Sequence, residues 1–246
     1  MIEEYSPRIY ERNYNDEDFL KVSLGMEKTH PQLQIQLKLD ELKTKPDILE
    51  DEAKAIQREF SVIEKPVVID LKKAHLGLVG EKSVIHEQIK ALICQLTFFH
   101  SYHDLEIIAI YDEVYQEDFQ WMRWYPHFKI HTVNSIAMIN SENKRDQILG
   151  SLYQILKDRK QKEEESKKES TFLPHFLFLI DEPKWIMDHS IMEYLEKEGY
   201  NLGFSIIYTS HLRQICQKNI GTIAMLKNSE DGLLLIDERE EKQEKF

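Results

Sequence analysis

Apolar residues in this chain gather in short dense runs, separated by longer stretches of helical spacing. Leu105 to Tyr111, His175 to Ile180 (HFLFLI) and Phe204 to Thr209 (FSIIYT) are nearly continuous apolar runs. Runs this short are too brief for helices and too apolar for an exposed edge. They predict strands buried on both faces, as in a parallel sheet. Between them, Ser83 to Phe99 spreads Val84, Ile85, Ile89, Leu92, Ile93 and Leu96 over a wide helical face, and Arg145 to about Lys162 sets Ile148, Leu149, Leu152, Tyr153 and Leu156 on one stripe. A further helix is predicted from Pro183 to about Glu198. Pro66 to Leu71 and His75 to Val79 read as short strands before the first large helix. Ile220 to Leu226 and Gly232 to Ile236 read as a closing pair. Hydrophobic strands joined by helical crossovers predict an α/β fold, a mainly parallel sheet with helices on both faces.

The pattern is different before residue 66. Tyr14 to Asp18 is a polar turn cluster, and Phe19-Leu20, Val22 and Leu24 then alternate into Gly25 as a short strand. Leu33, Ile35, Leu37 and Leu39 alternate with Gln, Gln and Lys, which predicts a half-buried antiparallel strand. Pro46 breaks the chain, and Ile48 to Phe60 reads as an amphipathic helix. The expected division is a small β-rich lead-in with its closing helix (1–65) and a main α/β domain (66–246). Lys160 to Ser170 and Asp237 to Phe246 are charge runs expected to be solvated or frayed.

Two stretches carry candidate chemistry. The apolar run at His175 ends in Asp181-Glu182, the pattern of a Walker B strand. Such a strand delivers carboxylates to the C-terminal edge of the sheet, where the first acid holds Mg²⁺ and the second can orient an attacking water. The bland alternative is that both acids cap the strand end or bond a neighbouring helix. A phosphate loop should accompany them, and HLGLVGEKSV is the candidate. The pattern G-x-x-x-x-G-K-[ST] fails in both registers. Counted from Gly77, the second Gly falls on Lys82 and the Lys on Ser83. With Lys82-Ser83 as the K-S pair, the glycines fall on Leu76 and Glu81. Gly77 and Gly80 therefore read as survivors of a loop that is too short, and Glu81 puts negative charge where N–H groups should face phosphate. Ser210-His211, after the FSIIYT run, falls where a γ-phosphate sensor would lie, or caps the strand. Phe119 to His127 (FQWMRWYPH) concentrates Trp121, Arg123, Trp124 and Tyr125. These side chains either wedge the segment onto the sheet edge or form a partner contact, since Trp, Tyr and Arg are common interface anchors.

The 246 residues suffice for one large domain with an appendage. A formal charge of -12 provides no basic stripe for a nucleic-acid surface. Cys94 and Cys216, the only cysteines, read as reduced thiols of a cytoplasmic protein, and no metal site is expected. No apolar run approaches the roughly 20 residues of a membrane helix. The charged opening MIEEYSPRIYERN reads as the interior of a longer protein.

Taken in order, these segments resemble the first, N-terminal ATPase-like domain of the EssC/YukB/EccC secretion ATPases, in the FtsK/SpoIIIE branch of RecA-like motors. The resemblance rests on Glu11-Arg12, Asn15 to Leu20 and Leu24-Gly25 (the family's "ER…DPDFL…xG" signature), Pro66 to Leu71, Gly77 to Gly80, Trp121 to His127 and Asp181-Glu182. It runs over about residues 8–237. It implies a RecA-like P-loop NTPase fold in a cytoplasmic segment beside the cell membrane, part of a Gram-positive type VII protein secretion motor. The implied work is to couple the membrane stalk to the protein's own downstream ATPase domains, contact other secretion components and help form a hexamer. ATP and Mg²⁺ are implied for the full-length protein, while the damaged loop leads us to expect no cofactor on this segment alone. One alternative is a weak Mg-ATP-binding or hydrolysing domain, with Lys82 swinging into an altered phosphate site. A DNA translocase fragment is the other, and it needs a basic channel face.

Overall fold

In a computed structural model of the chain, the structure describes residues 8–31, 35–37, 48–165, 171–197, 200–211, 220–228, 232–236 and 242–245. An antiparallel hairpin of β1 (Lys21–Thr29) and β2 (Ile63–Asp70) encloses helix α1 (Ile48–Glu59). Strand β3 (Leu76–Val79) leads into α2 (Lys82–Phe99), and β4 (Leu105–Ile110) follows. Next come the short α3 (Gln116–Phe119), two 3-10 turns, and the two-residue strands β5 (Lys129–Ile130), β6 (Ser135–Ile136) and β7 (Met138–Ile139). The chain continues through α4 (Glu142–Glu165), β8 (His175–Ile180), α5 (Met192–Lys197), β9 (Phe204–Ser210), β10 (Thr222–Leu226), β11 (Gly232–Ile236) and β12 (Lys242–Lys245).

The main sheet has the order β12-β11-β10-β3-β9-β8-β4-β7. From β10 to β7 every neighbouring pair is parallel, while β11 and β12 add antiparallel strands at one edge. Alternation of side chains explains the continuous apolar runs. Ile107, Ala109, Leu177 and Leu179 face a core shared with α2 and the hairpin. Their neighbours Ile108, Ile110, Phe176, Phe178 and Ile180 face a second core under α4 and α5. Both faces are therefore buried, the condition that makes such strands apolar throughout. Helix α2 contributes Ile85, Ile89, Leu92, Ile93 and Leu96, all nearly inaccessible, each worth roughly 1.5–3 kcal/mol relative to exposure.

Several expectations change in detail. The first strand is longer than predicted and runs on through Gly25 to Thr29. Pro66 to Leu71 does not join the main sheet but closes the hairpin as β2. The helix expected from Pro183 breaks into a 3-10 turn (Pro183–Trp185) and the short α5. Between them His189 Nδ1 accepts the Ile191 N–H at 3.2 Å, a local bond that competes with helix continuation. The tail expected to fray places Lys242–Lys245 on β11. Helix α4 runs through the first half of the Lys160 to Ser170 charge run, as far as Glu165. Of the strand expected over 33–39, residues 35–37 carry no strand, and the rest lies outside the described residues, as do Cys216 and the end of the helix at Glu198.

Candidate functional site

The order of strands decides what meets at the C-terminal edge. Strand β9 lies between β3 and β8, so residues just past β3, β8 and β9 converge there. Asp181 follows β8 directly, its amide bonded to Ile110 O at 2.8 Å, and its side chain is fully buried. Thr209 of β9 donates its hydroxyl to Asp181 Oδ1 at 2.6 Å. Lys82, the first residue of α2, places Nζ 2.8 Å from the same oxygen and 3.0 Å from the Asp181 carbonyl oxygen. One helical turn on, His86 faces Asp181 Oδ2 through Nε2 at 3.4 Å and Asp118 Oδ2 of α3 through Nδ1 at 2.9 Å. Residues four apart on a helix share a face, which is why Lys82 and His86 reach one carboxylate together. Tyr115 packs edge-on against His86, and the Lys82 ammonium lies 5.5 Å from the Tyr115 ring centroid.

The electrostatics follow from this geometry. Burial alone would raise the Asp181 carboxyl, but hydrogen bonds from His86, Lys82 and Thr209 outweigh it and hold its pKa below the usual value. Burial would lower His86, yet Asp181 and Asp118 on its two sides raise it above its ordinary value. A carboxylate oxygen at each ring nitrogen favours the imidazolium form of His86. In that form, two carboxylates balance two cations.

The other predicted residues are placed as follows. Gly77 lies inside β3, opposite Ile223 and Tyr208, rather than in the loop. The turn between β3 and α2 contains only Gly80 and Glu81. Gly80 donates its N–H to Ser210 O at 3.2 Å, and His211 Nδ1 donates to Gly80 O at 3.2 Å. A Cβ on Gly80 would stand 2.6 Å from Leu226 O, so the turn is pressed onto β10. Glu81 occupies the N-cap of α2 without a side-chain cap, and Ser83 is exposed on the first turn. Glu182 points elsewhere than Asp181: Oε1 accepts the Lys184 N–H at 3.3 Å and caps the 3-10 turn. Lys184 in turn pairs with Asp112. Trp121 donates Nε1–H to Asp118 O at 2.7 Å and packs on the core, whereas Trp124 is 80% exposed with Arg123 stacked 5.3 Å from its ring centroid. Among the described residues no group of three or more His, Cys, Asp or Glu is arranged to hold a metal ion, and no helix is long and apolar enough to cross a membrane.

Sequence reasoning missed His86, Asp118 and Thr209. Lys82 and His86 at a spacing of four gave a signal for the first. Asp118 and Thr209 join only through the tertiary fold.

No protein-family model matches the chain. It is 32% identical over 241 residues to the ESX secretion system protein EccC of Geobacillus thermodenitrificans and 33% identical over 241 residues to YukB of Bacillus subtilis, with 97% of this chain aligned in each case. The type VII secretion system protein EssC of Staphylococcus aureus is 31% identical over all of it. The chain spans only 16–17% of the length of these relatives. A solved structure of EssC ATPases 2 and 3 from G. thermodenitrificans superposes over 98% of this chain and 46% of that one, with TM-score 0.62 at 11% identity. The cytoplasmic domain of the type VII secretion ATPase EccC from Thermomonospora curvata superposes over 74% of this chain and 24% of that one, with TM-score 0.52 at 9% identity. These likenesses identify the fold as that of RecA-like P-loop ATPase domains. With identity above 30% along the whole chain, the protein belongs to the EssC/YukB/EccC family of type VII secretion proteins, of which it spans one segment.

Proposed function

We propose that the chain is the N-terminal ATPase-like segment of a type VII secretion motor and works there as a pseudo-ATPase, transmitting conformation between a membrane stalk and downstream ATPase domains. The observation that carries this reading is the Lys82 ammonium, 2.8 Å from Asp181 Oδ1. A P-loop enzyme directs that lysine to phosphate and leaves the aspartate to a cation. Here the lysine itself neutralises the aspartate. The turn before it is only Gly80 and Glu81, and it spends the Gly80 N–H on Ser210 O, which supports a loop too short to wrap a triphosphate. Residues arranged in this way do not fit Mg²⁺ and a triphosphate, and we assign no catalytic step to them. Placement at the cytoplasmic face of the membrane, assembly as a hexamer and contact with other secretion components through Trp124 and Arg123 belong to the same proposal.

One observation favours the runner-up, a weak Mg-ATP-binding domain: Lys82 is partly exposed, so a rotamer change would free it from Asp181. Calorimetric titration of the chain with Mg-ATP, alongside a phosphate-release assay, separates the two. The pseudo-ATPase reading expects no saturable heat and no turnover. Turnover abolished by both Asp181→Ala and Lys82→Ala would overturn it.

A further inference from the structure

A cavity of about 400 Å³ opens between α3, the 3-10 turn carrying Arg123, β7 and the first turns of α4. Its floor is apolar: Tyr111, Met138 and Ile148 are buried there. Its charged groups are of one sign, Arg123 and Lys144. Tyr111 donates its hydroxyl to Gln116 Oε1 at 3.1 Å, and Asn140 Nδ2 donates to the same oxygen at 2.5 Å. Two donors converging on Oε1 fix the Gln116 amide and leave its NH₂ end uncommitted. Lys144 gives one of its three N–H bonds to Asn140 Oδ1 at 2.8 Å and keeps two. Arg123 stacks on Trp124. No Asp or Glu lines the cavity, and among the described residues neither Arg123 nor Lys144 has a carboxylate within ion-pair distance. This is unusual in a chain of net charge -12, where Lys82 and Lys184 are both paired.

We propose that this cavity receives an acidic side chain presented by a partner polypeptide. Its two charged groups, Lys144 and Arg123, are both cationic donors without a carboxylate partner, and the Gln116 NH₂ adds a third donor; the neutral side chains of Gln120, Asn134, Ser135 and Gln147 on the same wall can donate as well, so the complement of the site's charge is an anionic group. The apolar floor suits the methylene stem and an aliphatic neighbour of such a side chain. The chain's overall negative charge opposes a free polyanion more than a single carboxylate on a polypeptide. This reading is independent of whether nucleotide binds at Asp181.

The test uses the 246-residue chain, labelled for NMR, with two capped peptides, acetyl-Leu-Glu-Leu-amide and acetyl-Leu-Gln-Leu-amide, and with inorganic phosphate as a third probe. The expected result is saturable movement of the Gln116 side-chain NH₂ and Arg123 Nε signals with the Glu peptide. Affinity should fall about tenfold in Arg123→Gln and in Lys144→Gln, both surface changes that leave the core untouched. The Gln peptide should bind much more weakly, and added salt should weaken the Glu peptide selectively. Equal binding of the two peptides, or no saturable movement with the Glu peptide, overturns the proposal. Phosphate moving the same signals with higher affinity overturns the polypeptide source in favour of a free anion.

Discussion

Where β3, β8 and β9 end, ionisable groups are held charged and paired with one another; where those strands begin, they are held neutral or satisfied by backbone. At the first edge, Asp181 gathers Lys82, His86 and Thr209. At the second, His75 accepts the Ile206 N–H at 3.2 Å, His175 shares a 2.8 Å bond with Ser205 Oγ, and His100 accepts the Leu20 N–H at 2.9 Å. Phe19 packs edge-on between His100 and His175. The buried Arg159 guanidinium there donates to the carbonyl oxygens of Pro174, Leu202 and Gly203, and burial pulls its pKa down to about 10. The hairpin and the Tyr14–Leu20 turn seal this second edge from water, so charge is disfavoured. The first edge keeps its charges by supplying counter-charges. A site that had merely lost its ligand would leave such groups unpaired; here they are paired with one another.

The comparison fails first, if it fails, under acid. Burial lowers His75 and His100 to about 4 and His175 to about 3. Folded values below the unfolded value of about 6.5 mean that the unfolded chain binds more protons in this range. The stability these histidines contribute is full above pH 6.5 and is lost as pH falls toward 4. At about 3 kcal/mol each, the three together approach the whole stability of a typical domain. Urea midpoints should therefore fall steeply between pH 6.5 and 4. A flat profile would mean the second edge is open to water. His86 has the opposite sign: raised by Asp181 and Asp118, it contributes below pH 6.5 and loses that contribution as pH rises through its folded pKa.

Removing the carboxylate at the first edge comes next in size. Asp181→Ala leaves Lys82, His86 and the Thr209 hydroxyl around an empty, buried position. Breaking one partner of a buried ion pair typically destabilises by about 3–5 kcal/mol. Urea denaturation at pH 7 should show that loss, with little change in slope. If Asp181 were poised for an absent cation instead, its removal would relieve repulsion and stabilise the chain.

Lys82→Met probes the same knot from its more exposed side. Asp181 keeps His86 and Thr209, so the expected loss is smaller, about 2 kcal/mol. The informative part is its acid dependence. Without the ammonium, the Asp181 carboxyl rises toward its ordinary value, so the stability it loses as pH falls below its unfolded pKa shrinks. A variant as stable as the parent at every pH would leave Lys82 free for another role.

The sequence made one of these edges more legible than the other. The run His175 to Ile180 ends where Asp181 must emerge at the sheet's C-terminal edge, because strand length and apolarity alone specify a buried central strand. The failed glycine register likewise exposed the short turn around Gly80. Pairing was not legible, since Lys82 and Asp181 are 99 residues apart and meet only because β9 inserts between β3 and β8. The sequence points to Ser210-His211 at this strand end and gives no sign of Thr209, whose side chain faces Asp181. The buried histidines gave no sign at all, because a histidine that accepts a backbone N–H looks like any other in sequence.

The smallest expected effect separates the two acids of the pair that first drew attention. Glu182 Oε1 accepts only the Lys184 N–H, at 3.3 Å near the surface, and a carboxamide oxygen at the same position accepts it equally well. Glu182→Gln should therefore change stability by no more than about 0.5 kcal/mol. Asp181→Asn, equally isosteric, removes the counter-charge of both Lys82 and His86 and should be far more damaging. Denaturation of the two variants in parallel at pH 7 checks the contrast. Equal losses would mean that the pair acts as a unit, as a catalytic constellation does, whereas a large loss at Asp181 alone marks it as the anchor of an ionic knot beside an ordinary cap.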